Sequence, residues 1–77
     1  MRYYFNTHNG ADGSHLDDVG EDLPDSDAAW DMATKFAAEA LRDLDGKLRK
    51  GRPFKLEVVD QANKNVFRIV IRGEDLN

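Results

Sequence analysis

Apolar and polar residues alternate along the chain with two periods, and the longest regular stretch has the period of a helix. This stretch runs from Asp25 to about Asp45. Within it, small and apolar residues recur three and four positions apart, at Ala29, Met32, Ala33, Phe36, Ala37, Ala40, Leu41 and Leu44. Such spacing places them on one helix stripe. Pro24 and a capping residue at Asp25 or Ser26 mark the start, and Gly46 marks the expected end.

The segment before the helix has the two-residue period of half-buried strands, interrupted by turn-forming residues at 9–13. If Phe5 and Leu16 share the core face, they pair directly across a loop of about four residues. The pattern therefore predicts a first hairpin whose second strand, at about 14–18, is short, polar and at a sheet edge. A loop over 19–24 leads to the helix.

A second alternating pattern follows the helix. Phe54, Leu56 and Val58 alternate with Lys55, Glu57 and Val59, and Phe67, Ile69 and Ile71 repeat the pattern after a turn. Matching the apolar faces pairs Val58 with Phe67 and places residues 61–64 in the loop. Asn63 is the residue there that best tolerates a left-handed backbone.

The order of these elements predicts an α+β domain of ββαββ type over residues 1–77, with a frayed tail at 73–77. Its two layers are a mainly antiparallel four-stranded sheet and one helix on one face. The expected core packs the helix stripe against Tyr3, Phe5, Leu16, Phe54, Leu56, Val58, Phe67, Ile69 and Ile71. The other face of the sheet is left uncovered.

Composition narrows the class of protein. The 77 residues include no cysteine, which excludes disulfides and thiolate metal sites and suits a reducing compartment. The N-terminus lacks the charged, apolar and small-residue pattern of an export signal, and no apolar run reaches membrane-spanning length. We expect a cytoplasmic protein without a membrane partner.

Charge is distributed unevenly along the chain. Residues 1–34 carry eight acids and one base, whereas residues 35–72 carry ten bases and five acids. Acids near a helix start and bases near its end are each stabilising by about 0.3–1 kcal/mol. Helix polarity explains the larger share of this asymmetry.

Two short segments connect the chain to known proteins. The opening Arg2-Tyr3-Tyr4-Phe5 and the segment Gly20-Glu21-Asp22-Leu23-Pro24 before the helix resemble a family of small bacterial domains of unknown function. The resemblance covers nearly the whole chain. It implies a shared fold and no particular activity.

Few residues suggest chemistry. In the register given above, His8 and His15 lie on one outward face with Asp12 and Asp17 nearby, a set that can bind a transition metal. No motif spacing supports such a site, so we interpret the histidines as solvated. No nucleophile has a partnered base at a recognisable spacing, and the chain leaves little volume for an enclosed site. We expect no catalytic residues, no cofactor, no metal and no enzymatic activity.

The uncovered sheet face and one helix residue carry the remaining functional signal. The candidate interaction surface consists of Arg2, Tyr4, Trp30, Lys55, Val59, Arg68, Val70 and Arg72. Trp30 lies one residue off the helix stripe, and tryptophan is enriched at binding hot spots. The leading hypothesis is a domain that binds a protein partner or itself. The alternative is a weak nucleic-acid-binding module, in which Tyr4 stacks on bases and Arg2, Lys55, Arg68 and Arg72 contact phosphates.

Overall fold

The computed structural model describes residues 1–9 and 13–77. Its elements are β1 (Arg2–Asn9), β2 (Gly13–His15), β3 (Glu21–Asp22), α1 (Ser26–Leu44), β4 (Phe54–Asp60) and β5 (Asn65–Ile71). The middle of the predicted first turn, residues 10–12, lies outside the described residues, and so does the metal candidate Asp12.

The sheet is open and antiparallel, with the strand order β2-β1-β4-β5. Over the described residues a fifth strand, β3, pairs with β1 on the same side as β2. The α+β class and the four-stranded core are thus confirmed. The prediction of a loop over 19–24 is wrong in part, because residues 21–22 form β3. Leu23 N–H donates to Met1 O at 2.8 Å beside this pairing, and both β3 residues are exposed, so no apolar period marks the strand.

The first hairpin differs from the predicted register by one residue. Thr7 pairs with His15 in the structure, so Phe5 and Leu16 are not partners. A one-residue slip moves each side chain of a strand to the other face. Leu16 is therefore 67% exposed, and its predicted place in the core is wrong. The physical reason is that Asp17 Oδ2, not a Leu16 backbone group, accepts the Phe5 N–H, at 3.1 Å.

The helix begins and ends close to its predicted bounds. The Asp25 side chain accepts the Ala28 N–H at 2.9 Å as N-cap, and Asp45 ends the helix in a left-handed conformation with φ 50°. The most deeply buried helix residues are small, with Ala29 and Ala33 fully buried. Because alanine side chains are short, α1 lies close to β4 and β5, against which it packs.

Two aromatic side chains of α1 pack on two aromatic residues of the sheet, which lie in one row of paired residues across β1, β4 and β5. Phe5 pairs with Val58, and Val58 pairs with Phe67, which confirms the predicted register of the second hairpin. Phe36 stacks on Phe5 with ring centroids 5.7 Å apart, and Trp30 meets Phe67 edge to face at 5.2 Å. The strands on either side of β4 therefore each have an aromatic contact with the helix.

The second hairpin loop occupies residues 61–64, as predicted, and Asn63 is left-handed with φ 62°. The sequence did not predict the irregularity that follows it. Val59 pairs with Asn65 whereas Val58 pairs with Phe67, so Val66 is an extra residue in β5. Such a bulge increases the local twist of the strand.

The core lies between α1 and the inner face of β1 and β4. Its buried strand residues are Tyr3, Phe5, Phe54, Leu56 and Val58, and the predicted β5 residues Phe67, Ile69 and Ile71 are partly buried against it. The described part of the chain contains no helix that is long and apolar enough to cross a bilayer. In the tail, Gly73 O accepts the Gly51 N–H at 3.2 Å.

Candidate functional site

Most of the candidate surface lies on the face of the sheet opposite α1, which we call the outer face. Strand alternation places Tyr4, Lys55, Val59, Arg68 and Val70 there, because their neighbours face the helix. Pairing brings Tyr4 opposite Val59 and Lys55 opposite Val70. Arg2 precedes Tyr4 on the same face, and Arg72 directly follows β5.

Glu57 organises the centre of the outer face. Its Oε2 accepts from Arg68 Nη2 at 2.9 Å and from Nε at 3.3 Å, and its Oε1 lies 3.1 Å from His8 Nε2. The hydrogen bond from Arg68 lowers the pKa of the Glu57 carboxyl below its usual range; burial opposes this, and the charges of Arg68, His8 and Lys55 add to it. The carboxylate thus remains ionised and compensates the cations around it. The predicted pairing of Val58 with Phe67 was the signal for this contact, because it already placed Glu57 opposite Arg68.

The remaining arginines of the candidate surface also face oxygen acceptors. Arg2 Nη1 donates to Val19 O at 2.9 Å, and its Nη2 lies 3.7 Å from Asp22 Oδ2. Arg72 Nη1 lies 3.8 Å from Glu74 Oε1. These arginines are thus partly neutralised by the protein itself.

A groove with an apolar floor and a polar margin lies beside the Glu57 network. It has a volume of about 290 Å³ and is lined by Tyr4, Asn6, Leu16, Asp17, Val59, Asp60, Gln61 and Asn63. We call it the Tyr4–Leu16 groove. Val59 is only 8% exposed at its floor, whereas Leu16 stands 67% exposed at its rim. Sequence reasoning missed Leu16 because the assumed register assigned it to the core.

Trp30 belongs to a different surface. It is 43% exposed and contacts Phe67, whose side chain points toward α1. Tyr4, Val59 and Val70 lie on the other side of the sheet. The structure therefore does not bring Trp30 together with the rest of the candidate surface.

The Asp17 side chain bonds to the β1 backbone in the gap between β2 and β3. Its Oδ2 accepts the Phe5 N–H, and its Oδ1 accepts the N–H groups of Val19 and Gly20, both at 3.0 Å. Burial is the largest single influence and raises the pKa of this carboxyl, but the three backbone hydrogen bonds together, helped by the charge of His15, lower it below its usual value. Its own N–H donates to Asn6 Oδ1 at 2.9 Å. These contacts are structural, and local sequence pattern gave no signal for them.

The slipped register also separates the two histidines. His8 pairs with Ser14 and faces outward, whereas His15 pairs with Thr7 and lies on the helix side. The prediction that they share one outward face is therefore wrong. Among residues 1–9 and 13–77, no cluster of three or more histidine and acidic side chains is placed to hold a metal ion.

Comparisons with known proteins identify a family but no activity. No curated protein and no solved structure shows detectable similarity to the chain. A family model described as Domain of unknown function (DUF6894) matches residues 2–72, from the first residue of β1 to just beyond β5. The chain therefore belongs to this family, DUF6894, whose function is unknown.

Proposed function

We propose that the domain acts without chemistry of its own, as a protein-interaction module that binds a partner through the Tyr4–Leu16 groove. The observation that carries the proposal is the position of Leu16, an exposed leucine held beside a tyrosine over an apolar floor. A single exposed leucine is ordinary. An aromatic and an aliphatic side chain at one groove, next to a compensated charge network, resemble the apolar centre and polar rim of protein interfaces.

The chemistry of the groove defines the partner. Tyr4, Leu16 and Val59 offer an apolar contact, and polar side chains surround it, the amides of Asn6, Gln61 and Asn63 and the carboxylates of Asp17 and Asp60. The matching partner is a protein segment that inserts one apolar side chain and hydrogen-bonds around it. We further propose a cytoplasmic setting, which the lack of cysteine supports.

The charge arrangement favours a protein over nucleic acid. Arg68 and His8 face Glu57, and Arg2 faces Asp22, so phosphate would have to compete with carboxylates already in place. The chain as a whole carries a net charge of −4. Repulsion from this charge adds to that competition.

Partner capture with matched variants tests the proposal. The wild-type chain is immobilised and exposed to a lysate of its native host, with and without nuclease and at two salt concentrations. We expect a retained protein that survives nuclease and depends little on salt, since apolar contacts are not screened. Leu16→Lys should abolish its retention. Val19→Lys is the control, because Val19 is 71% exposed but lies outside the groove.

Two results would contradict the proposal. Equal retention by wild type and Leu16→Lys would exclude the groove as the binding site. Retention that disappears with nuclease and falls steeply with salt would favour the nucleic-acid alternative.

A further inference from the structure

We propose that the domain also pairs with a second copy of itself along the outer edge of β5, around a two-fold axis at Ile69. The two sheets then form one continuous antiparallel sheet, and the two helices lie side by side on its inner face. This inference goes beyond the proposed function, because it concerns an edge and a helix flank that the Tyr4–Leu16 groove does not include.

The two edges of the sheet differ in how far other parts of the chain cover them. On the β1 edge, the short strands β2 and β3 cover both ends, and Asp17 accepts the Phe5 N–H between them. Over the described residues β5 pairs with β4 alone, which leaves its other edge open. Its seven residues, Asn65–Ile71, are mostly β-branched or aromatic, with one charged residue, Arg68. Natural edge strands normally carry protection against pairing; in β5 it is limited to Arg68 and the bulge at Val66, and residues 67–71 pair regularly with β4.

The backbone groups that point outward from β5 follow from the pairing. Because the Phe5 N–H points to Asp17, Phe5 and Val58 form a pair that exchanges no backbone hydrogen bonds. The backbone N–H and C=O of Val58 therefore point to Phe67. Because these groups alternate in direction along a strand, the backbone N–H and C=O of Arg68 and Val70 point outward from the sheet. These two residues supply the donors and acceptors for a second strand.

The charge of the arginines favours one register between the two β5 strands. A two-fold axis at Ile69 places Arg68 opposite Val70 of the second copy, so that both residues exchange backbone hydrogen bonds and the arginines stay apart. An axis at Arg68 would put two arginines opposite each other, and an axis at Val70 would put Arg68 opposite Arg72. Like charges directly opposed are destabilising. The Ile69 register also places Phe67 opposite Ile71 on the helix side.

The helix spacing fits the same arrangement. Strands lie about 4.8 Å apart, so two helices each centred over a β4–β5 pair would be about 10 Å apart across the axis, which is the distance of packed helices. The flank of α1 toward β5 is suited to that contact. Trp30 marks this flank, and helical spacing adds Asp27 at its acidic end and the uncharged Thr34 and Leu41 further along; Leu41 is 44% exposed.

The distribution of charge favours an antiparallel partner. Acidic residues gather at the start of α1, at Asp22, Asp25, Asp27 and Asp31, and basic residues gather beyond its end, at Lys47, Arg49, Lys50 and Arg52. Phe67, under Trp30, lies at the acidic end, and Gly73, bonded to Gly51, lies at the basic end. Antiparallel pairing of β5 brings the acidic end of each copy next to the basic end of the other.

Sedimentation equilibrium of the full chain, with variants at Val70, tests the proposal. We expect a concentration-dependent monomer–dimer equilibrium for the wild type. Val70→Pro removes an outward N–H in each copy without breaking the β4–β5 ladder, so it should raise the dimer dissociation constant about tenfold or more. Val70→Thr keeps the N–H and should dimerise like the wild type. Circular dichroism verifies that both variants are folded.

A second pair of variants tests the helix contact. Leu41→Lys introduces a charge on the β5 flank and should weaken the dimer, whereas Glu39→Lys introduces the same side chain on the other flank, near Phe36, and should not. A wild type that stays monomeric at millimolar concentration overturns the proposal. A dimer that survives Val70→Pro but is lost with Leu16→Lys also overturns it, because association would then use the groove.

Discussion

At Gly20 a single methyl group would meet backbone and side chains at once. A β-carbon there would lie 2.9 Å from Tyr3 O and from Arg2 Cγ, and the residue has φ +76°. Gly46 has a similar φ of +81° but nothing within 4 Å of the same position. We therefore expect Gly46→Ala to cost about 1 kcal/mol and Gly20→Ala about 2–4 kcal/mol. Urea unfolding measures both, and equal losses would show that the contact imposes no constraint.

Asp17 gives the molecule a predictable response to acid. Its pKa is lower in the folded protein than in the unfolded chain, so its contribution is fully present above the unfolded value of about 3.9 and is lost as the pH falls through the folded pKa. Asp17→Asn should reduce the free energy of unfolding by about 1–3 kcal/mol at pH 7. The gap to wild type should narrow by pH 3. Asp18→Asn, at an exposed neighbouring position, should change little, and a pH-independent gap at Asp17 would contradict the account.

At the scale of the elements, the helix contact depends on small side chains. Ala33 is fully buried between α1 and the sheet, whereas Ala38 is exposed on the same helix. Ala33→Leu must push the helix outward, so we expect it to destabilise the protein by about 1–3 kcal/mol. Ala38→Leu adds the same atoms in solvent and should stay within about 0.5 kcal/mol of wild type. Thermal and urea unfolding compare the pair; a loss at Ala38 as large as that at Ala33 would point to helix propensity instead of packing.

Elements defined by local signals could be predicted from the sequence, and those defined by distant contacts could not. The cap at Asp25 and the apolar stripe specify α1 within the helix itself, and the loop 61–64 fixes the second hairpin. The first hairpin depends instead on a carboxylate that reaches a backbone N–H twelve residues away. Apolar matching overlooked that contact, which is why it misplaced Leu16.

The candidate surface also contains residues that local pattern could place and one, Trp30, that it could not. Alternation alone predicted the outward side chains of Tyr4, Val59 and Arg68, because a strand has only two faces. The position of Trp30 over β5 depends on which flank of α1 faces which strand. Strand order determines that relation, and no residue pattern within the helix contains it.

At the scale of the whole molecule, the separation of charge becomes a property of assembly. The 19 residues of α1 span about 28 Å, so the acidic and basic clusters lie farther apart than the Debye length of about 8 Å at physiological salt. Within one copy the two clusters therefore interact weakly. In the proposed dimer they become neighbours across the two-fold axis, which gives them a role beyond complementing the helix dipole.

A charge exchange between two variants tests this role. Arg49→Glu with Lys50→Glu and Arg52→Glu makes both ends of a chain acidic, and Asp22→Lys with Asp27→Lys and Asp31→Lys makes both ends basic. Each variant alone should dimerise more weakly than the wild type, because like ends meet in an antiparallel pair. Mixed in equal amounts, they should form a heterodimer, since opposite charges then meet at both junctions.

Native mass spectrometry at low salt resolves the three species, and raising the salt should reduce the preference for the heterodimer. Statistical mixing of the variants would show that charge does not orient the copies, whereas a heterodimer that Val70→Pro in either partner weakens would connect the orientation to β5.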